Sequence, residues 1–104
     1  MTPDEKDWKL FKSKIGLWQE NYINKLNKEY AAILCGDEVP SVKFWCLEKR
    51  IKEDQKSRGV QIYLRRSTMF EDIVSLLKDE VITFEDLNDF SDDLKEKIKF
   101  VITD

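Results

Sequence analysis

Nucleophilic and metal chemistry in proteins draws on a short list of side chains, and this 104-residue chain has two cysteines and no histidine. Without histidine there is no Ser-His or Cys-His pair to activate a nucleophile, and no histidine-ligated metal. Cys35 and Cys46 bracket a turn that also carries Asp37 and Glu38. Two thiolates with carboxylates can hold a zinc ion, but the Cys-x-x-Cys pairs of structural zinc sites are absent. Buried, inert thiols are the plainer reading of Cys35 and Cys46, with zinc as the alternative. No other cofactor is expected, and the chain is read as no enzyme.

The charged residues are more distinctive. They make up 38% of the chain, which nets −3. Residues 42–66 hold eight Lys or Arg against three acids, whereas residues 67–94 hold one Lys against nine acids. Within the basic block, Arg50, Lys52, Lys56, Arg58, Arg65 and Arg66 are the candidates for a nucleic-acid surface. Phosphate binding needs such groups converging on one groove, with aromatics for stacking, and only Tyr63 is interleaved here. Pairing with the acids that follow is the favoured reading.

The acidic block is sharpest in "DEVITFEDLNDFSDD", Asp79 to Asp93, with seven acids and no base: Asp79, Glu80, Glu85, Asp86, Asp89, Asp92 and Asp93. Four of them fall in first helical turns behind Thr83 and Ser91, where negative charge offsets the helix dipole by ~0.3–1 kcal/mol each. Asp79, Glu80 and Asp89 have no such cause. A dense acidic face can occupy a basic cleft on another protein. Calcium is rejected, because aligning "EVITFED" with an EF-hand loop puts Leu77, which offers no side-chain oxygen, at a ligand position. A helix-turn-helix drawn from Ser67–Lys78 and Phe84–Phe90 fails as a DNA reader, since its second helix would repel phosphates.

These residues must be carried by helices. Thr2-Pro3-Asp4-Glu5 reads as a helix start, with Thr2 as cap, Pro3 first in the helix and Glu5 closing a capping box. Trp8, Phe11, Ile15, Trp18, Tyr22, Leu26, Tyr30 and Ile33 then recur at steps of three and four, one apolar stripe. The resulting helix is ~45 Å long, so it must bend near Gly16, project from the body or pack along a partner. Gly36 is expected to end it as a left-handed cap. Ser41 caps a second helix with Phe44, Trp45, Leu47 and Ile51 on its apolar side. Val60, Ile62 and Leu64 alternate with polar residues, which predicts a short strand pairing with Val81–Ile82. Ser67 caps a third helix, and Thr83 and Ser91 cap two further segments. The expectation is a mainly α single domain, residues 1–104, of four to five helices with one short two-stranded β ribbon.

No apolar run approaches the ~20 residues of a membrane span, and "MTPDEKDWKL" lacks the basic start of a signal peptide. The expectation is a cytoplasmic protein with no membrane partner and no direct nucleic-acid partner.

The stretch from Arg50 to Phe100 carries the words Arg65-Arg66-Ser67-Thr68-Met69-Phe70, Ile82-Thr83, Asp86-Leu87 and Phe90-Ser91-Asp92. In these words it resembles short, mostly uncharacterised proteins carried by mobile elements and prophages of gut bacteria. Small acidic proteins of such elements include anti-CRISPR proteins. The resemblance implies a non-enzymatic inhibitor of a type II RNA-guided nuclease, for which the charge layout offers the seven acids as a docking face. The alternative is a nucleic-acid-binding accessory factor using the basic residues between 50 and 66.

Overall fold

Asp4 starts the first helix: its carboxylate accepts from the Lys6 backbone N–H at 2.8 Å, satisfying one of the donors a helix N-terminus leaves open. The computed structural model describes residues 4–103. Thr2 and Pro3, expected as the cap and first helical residue, lie outside that range, and Glu5 is the first residue of the helix rather than a capping-box partner.

Helix α1, Glu5–Leu34, runs for 30 residues and uses its stripe twice. Its first half buries Phe11, Ile15 and Trp18. They pack against Met69, Ile73, Val74 and Leu76 of α3 (Met69–Lys78), and Leu94 and Ile98 of α4 (Asp92–Ile102). Ile82, Leu87 and Phe90, from the intervening segment with its 3-10 helix Phe84–Leu87, complete this core. The second half of α1 packs with α2, Pro40–Asp54. The molecule is therefore a body and an arm. Its extents are 52 × 25 × 19 Å and its radius of gyration 16.4 Å, against ~13 Å for a compact chain of this length. Of the three paths open to a long helix, the structure takes projection.

The β ribbon is not formed, and the described residues contain no strand. Its donors are used locally instead. The N–H groups of Val60 and Gln61 both donate to the Ser57 carbonyl at 3.1 Å, and those of Val81 and Ile82 to the Leu76 carbonyl at 2.9 and 3.4 Å. The segment after α2 is held as a packed turn. Gln19 donates to the Arg58 carbonyl at 3.1 Å. A Cβ on Gly59 would stand 2.5 Å from Val81 Cγ2 and 2.6 Å from Tyr22 Cδ2, so only glycine passes here.

Three expected caps also move. Pro40 opens α2 behind Val39, leaving Ser41 inside the first turn. A 3-10 turn, Arg66–Thr68, precedes α3 and takes in Ser67. Gly36 is not left-handed: among the described residues the one positive φ is that of Glu80, at 60°. Glu80 closes α3 in a Schellman arrangement, its N–H donating to Leu77 O at 3.1 Å and that of Val81 to Leu76 O at 2.9 Å. The caps at Thr83 and Ser91 form as expected. Thr83 N–H donates to Asp86 Oδ2 at 2.7 Å, and Ser91 Oγ accepts from Leu94 N–H at 3.2 Å.

Candidate functional site

Of the basic residues, Arg58 and Arg65 border one hollow with Tyr63, and most of the six meet carboxylates of their own chain. Arg58 donates from Nε to Asp72 Oδ1 at 2.6 Å and from Nη1 to Ser75 Oγ at 2.8 Å, and Thr68 Oγ1 donates to Asp72 Oδ2 at 3.1 Å. Asp72 is buried, so this network neutralises a carboxylate that would be costly to leave alone. Arg50 bonds Glu29 of α1 and reaches Asp54 at 3.2 Å, with its guanidinium 5.8 Å above the Tyr30 ring. The Tyr30 hydroxyl donates to Asp54 at 2.6 Å. Burial first, then that bond, push the Tyr30 hydroxyl up from 10.0 to about 12, and the bond to Glu29 raises Arg50 further. This cluster lashes the arm's two helices together. Lys52 pairs with Glu48 at 2.6 Å and Lys56 with Glu53 at 3.5 Å, and Arg66 meets Glu5. Arg65 stacks on an aromatic more closely, 4.4 Å from the Tyr63 ring centroid.

The acidic residues occupy more than one place. Asp79 accepts from Ser57 Oγ at 3.0 Å and borders an open hollow of about 310 Å³ with Tyr22, Glu53, Asp54, Lys56 and Ser57. Asp93 borders a different hollow, beside Phe70 and Phe100. Asp86 is consumed by the capping box with Thr83, whereas Glu80 gives only its backbone to the turn that ends α3 and keeps its side chain exposed. Asp89 lies 3.5 Å from Lys14, Asp92 3.4 Å from Lys95 and Asp93 3.0 Å from Lys97. These three carboxylates are largely exposed, and pairs of this kind contribute ~0–1 kcal/mol. Glu85 is exposed on the 3-10 helix. Glu80, Glu85, Asp89, Asp92 and Asp93 therefore keep solvated carboxylates, while Arg50 and Arg58 are tied into the fold.

Cys35 and Cys46 are both exposed, not buried as their residue type suggested. Both sit on the projecting arm, where no core exists to receive them. Among the described residues no three His, Cys, Asp or Glu side chains gather as a metal site would require.

Two features escape a reading of the sequence. Asp7 is buried and accepts from both the N–H and the hydroxyl of Ser91, at 2.9 and 2.6 Å. Its signal was an acid on the apolar stripe, four residues before Phe11. The other is α2, which has no buried residue. Phe44 and Trp45, read as its core side, are 61% and 62% exposed, while Leu47 and Ile51 are half-buried. Its apolar residues run around the helix instead of along one stripe, more than contact with α1 alone can cover.

Comparison with known protein families, curated proteins and solved structures finds no match to this chain. No helix among the described residues is long and apolar enough to cross a membrane.

Proposed function

We propose that this chain is a non-enzymatic protein-binding inhibitor that docks its acidic surface onto a basic, nucleic-acid-handling surface of another protein. A type II RNA-guided nuclease is the class the resemblance to mobile-element proteins implies. The observation that carries the reading is the unequal fate of the two charge blocks. Arg50 and Arg58 are bound into partly buried networks, whereas Asp89, Asp92 and Asp93 stay exposed in weak pairs. With nine acids and one lysine between residues 67 and 94, local pairing cannot cancel the excess. Such a field accelerates encounter with a positive cleft and competes with phosphates for it.

The test is a Glu80→Lys, Asp89→Lys double variant in a nuclease-inhibition assay beside a melting curve. Lysine at position 80 keeps the same left-handed backbone requirement as glutamate and suits the C-terminal end of α3. The fold should survive and inhibition should be lost. Full inhibition with an unchanged melt would contradict the reading.

One observation favours the alternative of nucleic-acid binding. Tyr63 is 74% exposed with Arg65 stacked on it, a platform on which an unpaired base could lie. Under that reading a single-stranded oligonucleotide binds at micromolar concentration or tighter at physiological salt, and Arg65→Ala with Arg66→Ala weakens it.

A further inference from the structure

We infer that the exposed face of α2 is a self-association surface, on which a second copy of this chain packs antiparallel to make a dimer through the arms. Helix α2 lies on α1 by one side, and none of its residues is buried, so its opposite side faces solvent. On that opposite side Ser41, Val42, Trp45, Cys46 and Lys49 border one shallow hollow, at the spacing of a single helical face. Val39 and Leu34 continue the apolar surface toward the hairpin tip, and Phe44 flanks it edge-on to Trp45, with ring centroids 4.9 Å apart.

Area argues for a partner the size of another arm. The five residues Leu34, Val39, Val42, Phe44 and Trp45 are 45% to 62% exposed. Covering them on two copies removes roughly 1,000 Å² of largely apolar surface, taking ~150–250 Å² for a whole aromatic side chain. In a homodimer interface about two-thirds apolar, that corresponds to a total of roughly 1,500 Å², within the range of stable, specific interfaces.

Charge argues that the partner is the same chain. Residues 24–54 carry six basic and six acidic residues, so two arms meet without net repulsion, while the acidic bodies stay at opposite ends. Along the exposed face the order is acidic at the tip (Asp37, Glu38), apolar in the middle and basic beyond at Lys49. An antiparallel two-fold copy sets apolar against apolar and acid against base at both ends. Such a face is complementary to itself, as an isologous contact must be. The register that centres the apolar residues places Val42 against Trp45 of the second copy, Ser41 against Cys46, and Glu38 against Lys49.

Sedimentation equilibrium of the full chain, from about 1 to 100 µM, the range of weak to moderate self-association, should show a reversible monomer–dimer equilibrium. Trp45→Ala should raise its dissociation constant about thirtyfold, the size of a hot-spot truncation. Helix content and melting of dilute protein should hold, because α2 has no buried residue. Lys49→Glu should weaken the dimer, and Glu38→Lys added to it should restore the affinity. In a Cys35→Ser background, Ser41→Cys should cross-link to Cys46 of a second chain when oxidised glutathione is added. A monomer throughout this range, or a dimer indifferent to Trp45→Ala, would overturn the inference. Failure of the charge swap to rescue, with no cross-link, would overturn the antiparallel register.

Discussion

Asp7 and Ser91 lie 84 positions apart and are joined by two hydrogen bonds, one from the Ser91 backbone N–H and one from its hydroxyl. The same hydroxyl accepts from Leu94 N–H, so the cap of α4 is itself held by α1. Deleting the carboxylate leaves the cap and two donors without their partner at a partly buried site. Asp7→Ala should therefore cost about 2–3 kcal/mol and lower the melting temperature by roughly 10 °C. Asp7→Asn, which keeps one acceptor, should cost less. A melt unchanged in Asp7→Ala would show that the clamp contributes nothing.

Gly59 tests the packed turn between α2 and α3. A methyl group there meets Val81 and Tyr22 at distances that cannot be kept. Gly59→Ala should destabilise by about 1–3 kcal/mol, the range of overpacking in a filled interior. Denaturant unfolding would show it as a lower midpoint with the same slope. An unshifted midpoint would mean that the turn yields freely.

Glu80 holds a left-handed conformation that costs a side-chain-bearing residue about 1–2 kcal/mol. Glycine adopts it freely but loses more entropy on folding. Glu80→Gly should thus raise stability by about 1 kcal/mol at most. A loss of stability would indicate that the Glu80 side chain contributes more than its backbone costs.

How much of this was legible in the sequence depended on distance along the chain. The caps at Thr83 and Ser91 and the helix under the stripe from Trp8 to Ile33 are written in neighbouring residues, and each formed. The expected strand at Val60–Leu64 rested on three alternating apolar residues, too few to outweigh the turn that Gly59 permits. Its expected mate, Val81–Ile82, was taken by the Schellman turn at Glu80. Asp7–Ser91 and Arg58–Asp72 depend on which helices meet, which no local pattern encodes. For α2 the pattern gave a helix with apolar residues but not what covers them. The acidic residues could be named in advance, while their division between Asp79 at one hollow and Asp93 at another follows from the packing of α3 and α4.

Tyr30 gives the arm a pH signature. Its hydroxyl is raised from 10.0 to about 12 by burial and by Asp54. The folded state therefore holds this proton more tightly than the unfolded chain. The associated stability is whole below pH 10 and is lost as pH climbs toward 12. Tyr30→Phe should cost about 1 kcal/mol at neutral pH, and its stability should converge on the wild type across that alkaline window. Parallel curves from pH 9 to pH 12 would remove Tyr30 from the account.

The central claim, docking through an acidic surface, is tested most directly by the salt dependence of association with a purified type II RNA-guided nuclease. Steering by the acidic block acts on the on-rate and is screened within about 10 Å at 0.1 M salt. The account predicts an on-rate that falls steeply as salt rises, and a Glu80→Lys, Asp89→Lys variant that is slow at every salt concentration with a flattened dependence. Equal on-rates for the two proteins, or no binding by either, would contradict it.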